Sequence, residues 1–289
     1  MGHDRLWVKE MKCRKPPRQI GSTTLLMSFL VGCGARTVAP TPAPGAQRAV
    51  QSEGLNYLLF LPRDYLQEPQ KKWPLILYLH GKSERGDRVE ELERLKANGL
   101  PKLVEQQADF PFVVLSPQCP SHTEWDSELD NLNALLTKIL TTYAVDPHRL
   151  YLTGISMGGH GAWALASRYP ERFAAMAPIA SYRINEGVCR LKDIPTWAFH
   201  GAKDSVIPYT ETEAMVNALK DCGGDVRFTL YPNAEHDSWT ETYNDPELGV
   251  AAPTHRVRSP AAHVKTRPRR AFASEAHRGR PAGVVESGQ

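Results

Sequence analysis

Short apolar runs, each closed by turn residues and followed by a stretch with helical spacing, recur through the middle of this 289-residue chain. They are LNYLLFLP, PLILYLHG, FVVLSPQ, RLYLTGIS, AAMAPIAS, TWAFHGAKD and VRFTLYPNAEH. Leu75-Ile76-Leu77-Tyr78-Leu79 is apolar at every position, which suits a strand covered on both faces. Leu129, Leu132, Leu136, Ile139 and Tyr143 share one helical face, with Asp146-Pro147 placed to end that helix. Ala214, Met215, Ala218 and Leu219 repeat the design within residues 210–221, and Gly223-Gly224 closes it. This alternation predicts an α/β fold, a mostly parallel sheet with helices on both faces.

The two ends do not share the pattern. Near the start, the basic MKCRKPPRQ precedes the short apolar run IGSTTLLMSFLVG, the layout of an export signal and too short for a comfortable membrane span. The run closes on Leu30-Val31-Gly32-Cys33, which resembles the lipobox of bacterial lipoproteins and implies a lipid anchor on Cys33. We therefore expect a signal over residues 1–32, a Pro/Ala-rich flexible tether over 33–53 and a catalytic domain over 54–249. Residues 250–289 show neither strand alternation nor a helical stripe and are expected to be disordered. The expected location is the bacterial cell envelope.

Charge follows the same division. Residues 1–32 carry +4 and residues 250–289 carry +6, against +3 for the whole chain, which leaves −7 for the body. The body thus offers no basis for a nucleic-acid surface. Setting aside Cys13 in the signal and Cys33 at the anchor, Cys119, Cys189 and Cys222 remain, enough for one disulfide whose pairing the sequence leaves open.

The chemistry concentrates where RLYL gives way to GAWALASRYP. Gly154-Ile155-Ser156-Met157-Gly158 fits G-x-S-x-G at a strand-to-helix junction, where a nucleophile must turn sharply above the sheet. Glycines two residues to either side make room for that turn. The Met157 amide, at a helix N-terminus, is a candidate oxyanion donor, and Lys82, in the loop after PLILYLHG, is the second. Farther along, Asp204 follows a strand and His236 lies in the loop after the next, the Ser…Asp…His order of such a triad. His236 is assigned as base, Asp204 as its orienting acid and Ser156 as nucleophile. His80 is read as structural, and Glu84, Arg85 and Asp87 as an internal ion pair at the rim. Gln118 and Trp125 are candidates for substrate contact, with Trp125, like Trp239, open to either stacking on a substrate or packing on its own loop. The remaining histidines lack ligand spacing, so no metal or cofactor is expected.

Taken together, LHGKSERGD, PQCP, DPHRLYLTGISMGGHGAWALASRYPERFAAMAPI, FHGAKDSVIP and AEHDSWTETYNDPEL resemble bacterial α/β-hydrolases of three kinds. These are the polyhydroxybutyrate depolymerase-like, the feruloyl or acetyl-xylan esterase-like and the prolyl-oligopeptidase-related enzymes. The resemblance spans about Asn56 to Leu248 and implies the same Ser156, Asp204 and His236 as catalytic residues. Similar proteins continue past YNDPEL into a short aromatic closing helix, whereas here Gly249 opens a basic tail. That departure predicts an uncovered apolar patch near the end of the sheet.

Only Ser181 to Asp193 separates AAMAPIA from TWAFHGAKD, leaving room for a minimal cap. The function expected is therefore hydrolysis of small acyl, sugar or aromatic esters, free or carried on a polymer. A prolyl-oligopeptidase-type peptidase ranks lower because the chain has no room for a gating propeller. A surface lipoprotein that keeps the fold only for binding ranks below both, because the triad pattern is intact.

Overall fold

The computed structural model describes residues 43–184 and 186–248. The signal, Cys33, most of the tether and the basic tail lie outside the described residues. Among the described residues, eight strands form one sheet: β1 (Gln47–Val50), β2 (Tyr57–Phe60), β3 (Trp73–Leu79), β4 (Val113–Pro117), β5 (Val145–Ile155), β6 (Ala175–Ile179), β7 (Thr196–Gly201) and β8 (Val226–Tyr231). Their order is β1-β2-β4-β3-β5-β6-β7-β8. β1 and β2 run antiparallel to their neighbours, and every pairing from β4 through β8 is parallel. All seven expected runs form strands.

β1 is a correction to the expected tether, which ran to residue 53. The register pairs Gln47 with Phe60 and Val50 with Tyr57. A four-residue edge strand with two polar positions needs only one paired side, so it carries little of the apolar signal that marks inner strands. The long helix also ends before its expected stop. α2 (Leu129–Thr142) is capped by Tyr143 in extended backbone, and Asp146-Pro147 already belongs to β5.

Alternate residues of the continuous apolar runs feed two cores. Leu75, Leu77 and Leu79 pack with Leu132, Leu136, Trp163 and Leu219 from α2, α3 (Met157–Arg168) and α4 (Tyr209–Asp221). Ile76, Tyr78 and Val114 face the other way, onto Leu100, Val104 and Tyr243 from α1 (Gly99–Val104) and α5 (Trp239–Asn244). Within α4 the inward set is Thr212, Met215, Val216 and Leu219, so two of the four expected positions hold. On the α5 side an apolar groove of about 340 Å³ is lined by Phe112, Tyr151, Trp197, Tyr243 and Leu248 among others; whether the basic tail would cover it lies outside the described residues. No helix among the described residues is long and apolar enough to cross a membrane.

Cys189 and Cys222 form a disulfide with their Cα atoms 5.2 Å apart, tying the turn Val188–Leu191 to the end of α4. Among the described residues, Cys119 is buried and outside any disulfide.

The junction of β5 and α3 is set by backbone contact. A Cβ on residue 154 would lie 2.2 Å from the Gly158 carbonyl oxygen, and one on residue 158 would lie 2.0 Å from the Leu79 oxygen. Both obstacles are main chain of neighbouring elements, so neither can swing aside. Gly158→Ala should cost at least about 3 kcal/mol in urea unfolding. Gly54→Ala, with nothing within 4 Å of the added carbon, is the neutral control.

Candidate active site

Ser156 sits between the end of β5 and the first turn of α3 with φ 53° and ψ −119°. A non-glycine residue at such a φ costs on the order of 1–3 kcal/mol, and the surroundings must hold it there. They do so through the Ser156 N–H, which donates to the Ile179 carbonyl at 2.9 Å, and through the glycine contacts above.

Three strand ends converge on this serine. His236, in the loop after β8, has Nε2 3.0 Å from Ser156 Oγ and Nδ1 2.7 Å from Asp204 Oδ2. The carboxylate requires a proton on Nδ1, which leaves Nε2 as the acceptor for the serine hydroxyl. Asp204 follows β7 with its side chain fully buried, while His236 keeps 23% exposure. Asp204 Oδ1 accepts the N–H groups of Val206 and Ile207, both at 2.9 Å. Burial alone would raise the Asp204 pKa, but the His236 bond and these two amides outweigh it and hold the carboxyl below its ordinary range.

The oxyanion candidates flank the same space. Met157 opens α3, and Lys82 opens a 3-10 turn over Lys82–Glu84 directly after β3 and Gly81. Both line a cleft of about 560 Å³ that contains Ser156 and His236. Ser83, Glu84, Asn98, Glu124, Tyr182 and Trp239 complete much of its wall. The Lys82 side chain reaches Glu124 at 3.6 Å, so its backbone and its ammonium serve different sides of the rim.

Two substrate-contact expectations are corrected. Trp125 is fully buried, donates its Nε1–H to the His80 carbonyl at 3.0 Å and packs on Gly161 of α3. Gln118 is also buried, and its Nε2 donates to the carbonyls of Glu84 and Glu91, each at 2.9 Å. Both side chains hold the loop that follows β3 from beneath, because its buried carbonyls need donors and these residues supply them. The expected ion pair at the rim is replaced by three separate ties. Glu84 accepts from Asn98 at 2.7 Å, Arg85 donates to the Thr123 carbonyl at 2.9 Å, and Asp87 binds Ser121. Burial raises the Glu84 carboxyl above its usual range, against the pull of the Asn98 amide.

Trp239 lines the cleft, its ring edge-on to His236 at 5.3 Å. Its place three residues after His236 was the available sequence signal. Tyr182 and Asn98 belong to no motif and were missed.

A strained serine between a parallel strand and a helix, with an acid and a histidine at the ends of later strands, defines the α/β-hydrolase class. Within that class the chain belongs to the esterase family described as "Putative esterase", whose model matches residues 52–228. A bifunctional acetylxylan esterase/xylanase, XynS20E from Neocallimastix patriciarum, is 24% identical over 58% of this chain and 25% of that protein. A poly(3-hydroxyoctanoate) depolymerase from Pseudomonas fluorescens is 25% identical over 64% of this chain and 72% of its own length. A solved thermostable esterase superposes with a TM-score of 0.59 and 32% identity, covering 71% of this chain and 62% of the other. The chain thus spans a quarter of XynS20E and less than two thirds of the thermostable esterase. A ferulic acid esterase from Anaeromyces mucronatus shares the fold, with a TM-score of 0.54 at 14% identity over 69% of this chain and 87% of the other.

His80 anchors the loop that carries Lys82, just past the end of β3, and is fully buried. Its Nε2 accepts the Cys119 N–H at 2.9 Å, so the proton is on Nδ1, which donates to the Gly81 carbonyl at 2.6 Å. Burial pulls its pKa down to about 4. The unfolded chain takes up this proton near pH 6.5 and the folded protein only near pH 4. The stabilisation is therefore complete above pH 6.5 and declines by roughly 3 kcal/mol as the pH falls to 4. Urea unfolding at pH 7.5 and pH 4.5 should register that decline, and His80→Gln, which does not titrate there, should lose this part of it.

Proposed function

We propose that this protein is a serine esterase in which Ser156, His236 and Asp204 act as nucleophile, base and orienting acid. The observation that carries the reading is the continuous relay from Ser156 Oγ through His236 to Asp204, at 3.0 and 2.7 Å. Ser156 Oγ attacks the ester carbonyl as its proton passes to His236 Nε2. The backbone N–H groups of Lys82 and Met157 hold the oxyanion. Collapse of the intermediate breaks the bond to the alcohol oxygen, which takes the proton from His236. Water then repeats the sequence on the acyl-enzyme and releases the carboxylic acid and free Ser156.

The form of the cleft favours short acyl groups, or sugar and aromatic esters borne on a polymer. It is open and mixes charged Lys82 and Glu124 with the rings of Tyr182 and Trp239. A long lipid chain would need a covered apolar channel at this site. The descriptions of the relatives, an acetylxylan esterase/xylanase and a poly(3-hydroxyoctanoate) depolymerase, support the same range.

Hydrolysis of p-nitrophenyl acetate and butyrate is the direct test. Ser156→Ala should lower kcat by about 10⁴-fold or more with the fold intact by circular dichroism. A folded parent protein that cleaves a proline amide and neither ester would overturn the reading.

We also propose that Cys33 carries a lipid anchor that holds the enzyme at the bacterial cell envelope. The support is the Leu30-Val31-Gly32-Cys33 sequence at the end of an apolar run. In a bacterial host, Cys33→Ser should move the protein from the membrane fraction to the soluble fraction and abolish palmitate labelling.

A further inference from the structure

A second histidine touches the proposed catalytic acid. His200 is the penultimate residue of β7 and is fully buried. Its Nε2 lies 2.9 Å from the Ile207 carbonyl oxygen and 3.1 Å from Asp204 Oδ2. Neither atom can donate, so the proton of a neutral His200 is on Nε2, shared between them. Asp204 then has four donors: two amides on Oδ1 and two imidazoles on Oδ2.

The other ring nitrogen shows how that tautomer is kept. His200 Nδ1 lies 2.8 Å from Thr212 Oγ1, on α4. Ser181 Oγ is 3.1 Å from the same hydroxyl and accepts the Trp163 Nε1–H at 3.0 Å. With the indole fixed as a donor, the Ser181 proton points to Thr212 and the Thr212 proton is available to His200 Nδ1. The Ser181 carbonyl, 2.9 Å from Thr212 Oγ1, shares that last proton. The donors therefore run in one direction, from Trp163 through Ser181, Thr212 and His200 to Asp204.

Resting on the esterase reading above, we propose that His200 is a positioning residue of the triad. It holds Asp204 Oδ2 and the 204–207 loop where His236 needs them, without adding a charge. Burial, the largest influence on its ring, lowers its pKa, in keeping with a group that stays neutral beside the carboxylate. The ionisable groups facing it are Asp204 and, across that carboxylate, His236. A second imidazolium here would compete with His236 for the same oxygen, and an apolar residue would leave Asp204 Oδ2 held by His236 alone.

The test compares the full-length protein with His200→Leu, His200→Gln and Thr212→Val. His200→Gln keeps an N–H near the Nε2 position. Activity on p-nitrophenyl acetate is normalised to sites titrated by a fluorophosphonate, so misfolded protein is not counted. His200→Leu should lower kcat about 10- to 100-fold with KM within about twofold. Its acid limb in kcat/KM should move to higher pH, because Asp204 Oδ2 then binds the His236 imidazolium alone. His200→Gln should recover most of both effects, and Thr212→Val should fall between. The downfield proton resonance of the His236–Asp204 bond should shift in the Leu variant and stay in place in the Gln variant. That resonance needs no turnover, so it tests His200 even if the parent cleaves no ester, an outcome that would overturn the esterase reading instead. An unmoved acid limb and resonance in His200→Leu overturns the proposal, as does a loss of activity that vanishes on normalisation.

Discussion

The close passage of three pieces of main chain at one point governs the rest of the molecule. β3 ends at Leu79, β5 turns at Gly154, and α3 starts so near both that the 154 and 158 positions have no space for a side chain. That crowding forces Ser156 into positive φ and raises it above the sheet. It also puts the Gly81–Lys82 loop and the start of α3 beside the same serine, so the placement of Ser156 and of the Lys82 and Met157 amides beside it shares one cause. Hydrophobic cores on both faces of the sheet oppose the local strain. Neither core would place the serine if the backbones could separate by a further ångström.

The inner layers of this architecture were legible in the sequence because parallel strands buried on both faces leave continuous apolar runs. The helix start at Met157 was legible for a different reason: only glycine fits on either side of the turn. What escaped the sequence was decided by hydrogen bonds between distant segments. Gln118 and Trp125 sit in a stretch that leads toward the cleft, yet their polar atoms are consumed by the carbonyls of Glu84, Glu91 and His80. No local pattern distinguishes a polar side chain facing substrate from one facing a loop carbonyl 27 to 45 residues away. β1 escaped because an edge strand is specified largely by its partner, and Tyr182 because its place in the wall depends on how the chain leaves β6.

Family membership and site geometry constrain the chemistry more tightly than the substrate. The relatives named above differ widely in what they cleave, and the cleft-wall residues Tyr182, Glu124 and Trp239 lie on the loops after β6 and β4 and at the start of α5. The serine, histidine and carboxylate of the relay are fixed to strand ends, while much of the cleft wall is carried by connections. Substrate range can change in such a protein without disturbing the relay.

The Cys189–Cys222 bond encloses more than a loop. The two cysteines are 33 residues apart, and the span between them contains His200, Asp204 and Thr212. A cross-link of that length restricts the unfolded chain by about 3 to 4 kcal/mol. The protein made in a reducing compartment and the protein made in an oxidising one thus share a sequence but differ in covalent structure. A preparation from the cytoplasm of an expression host would begin with the loop that carries Asp204 on a longer leash.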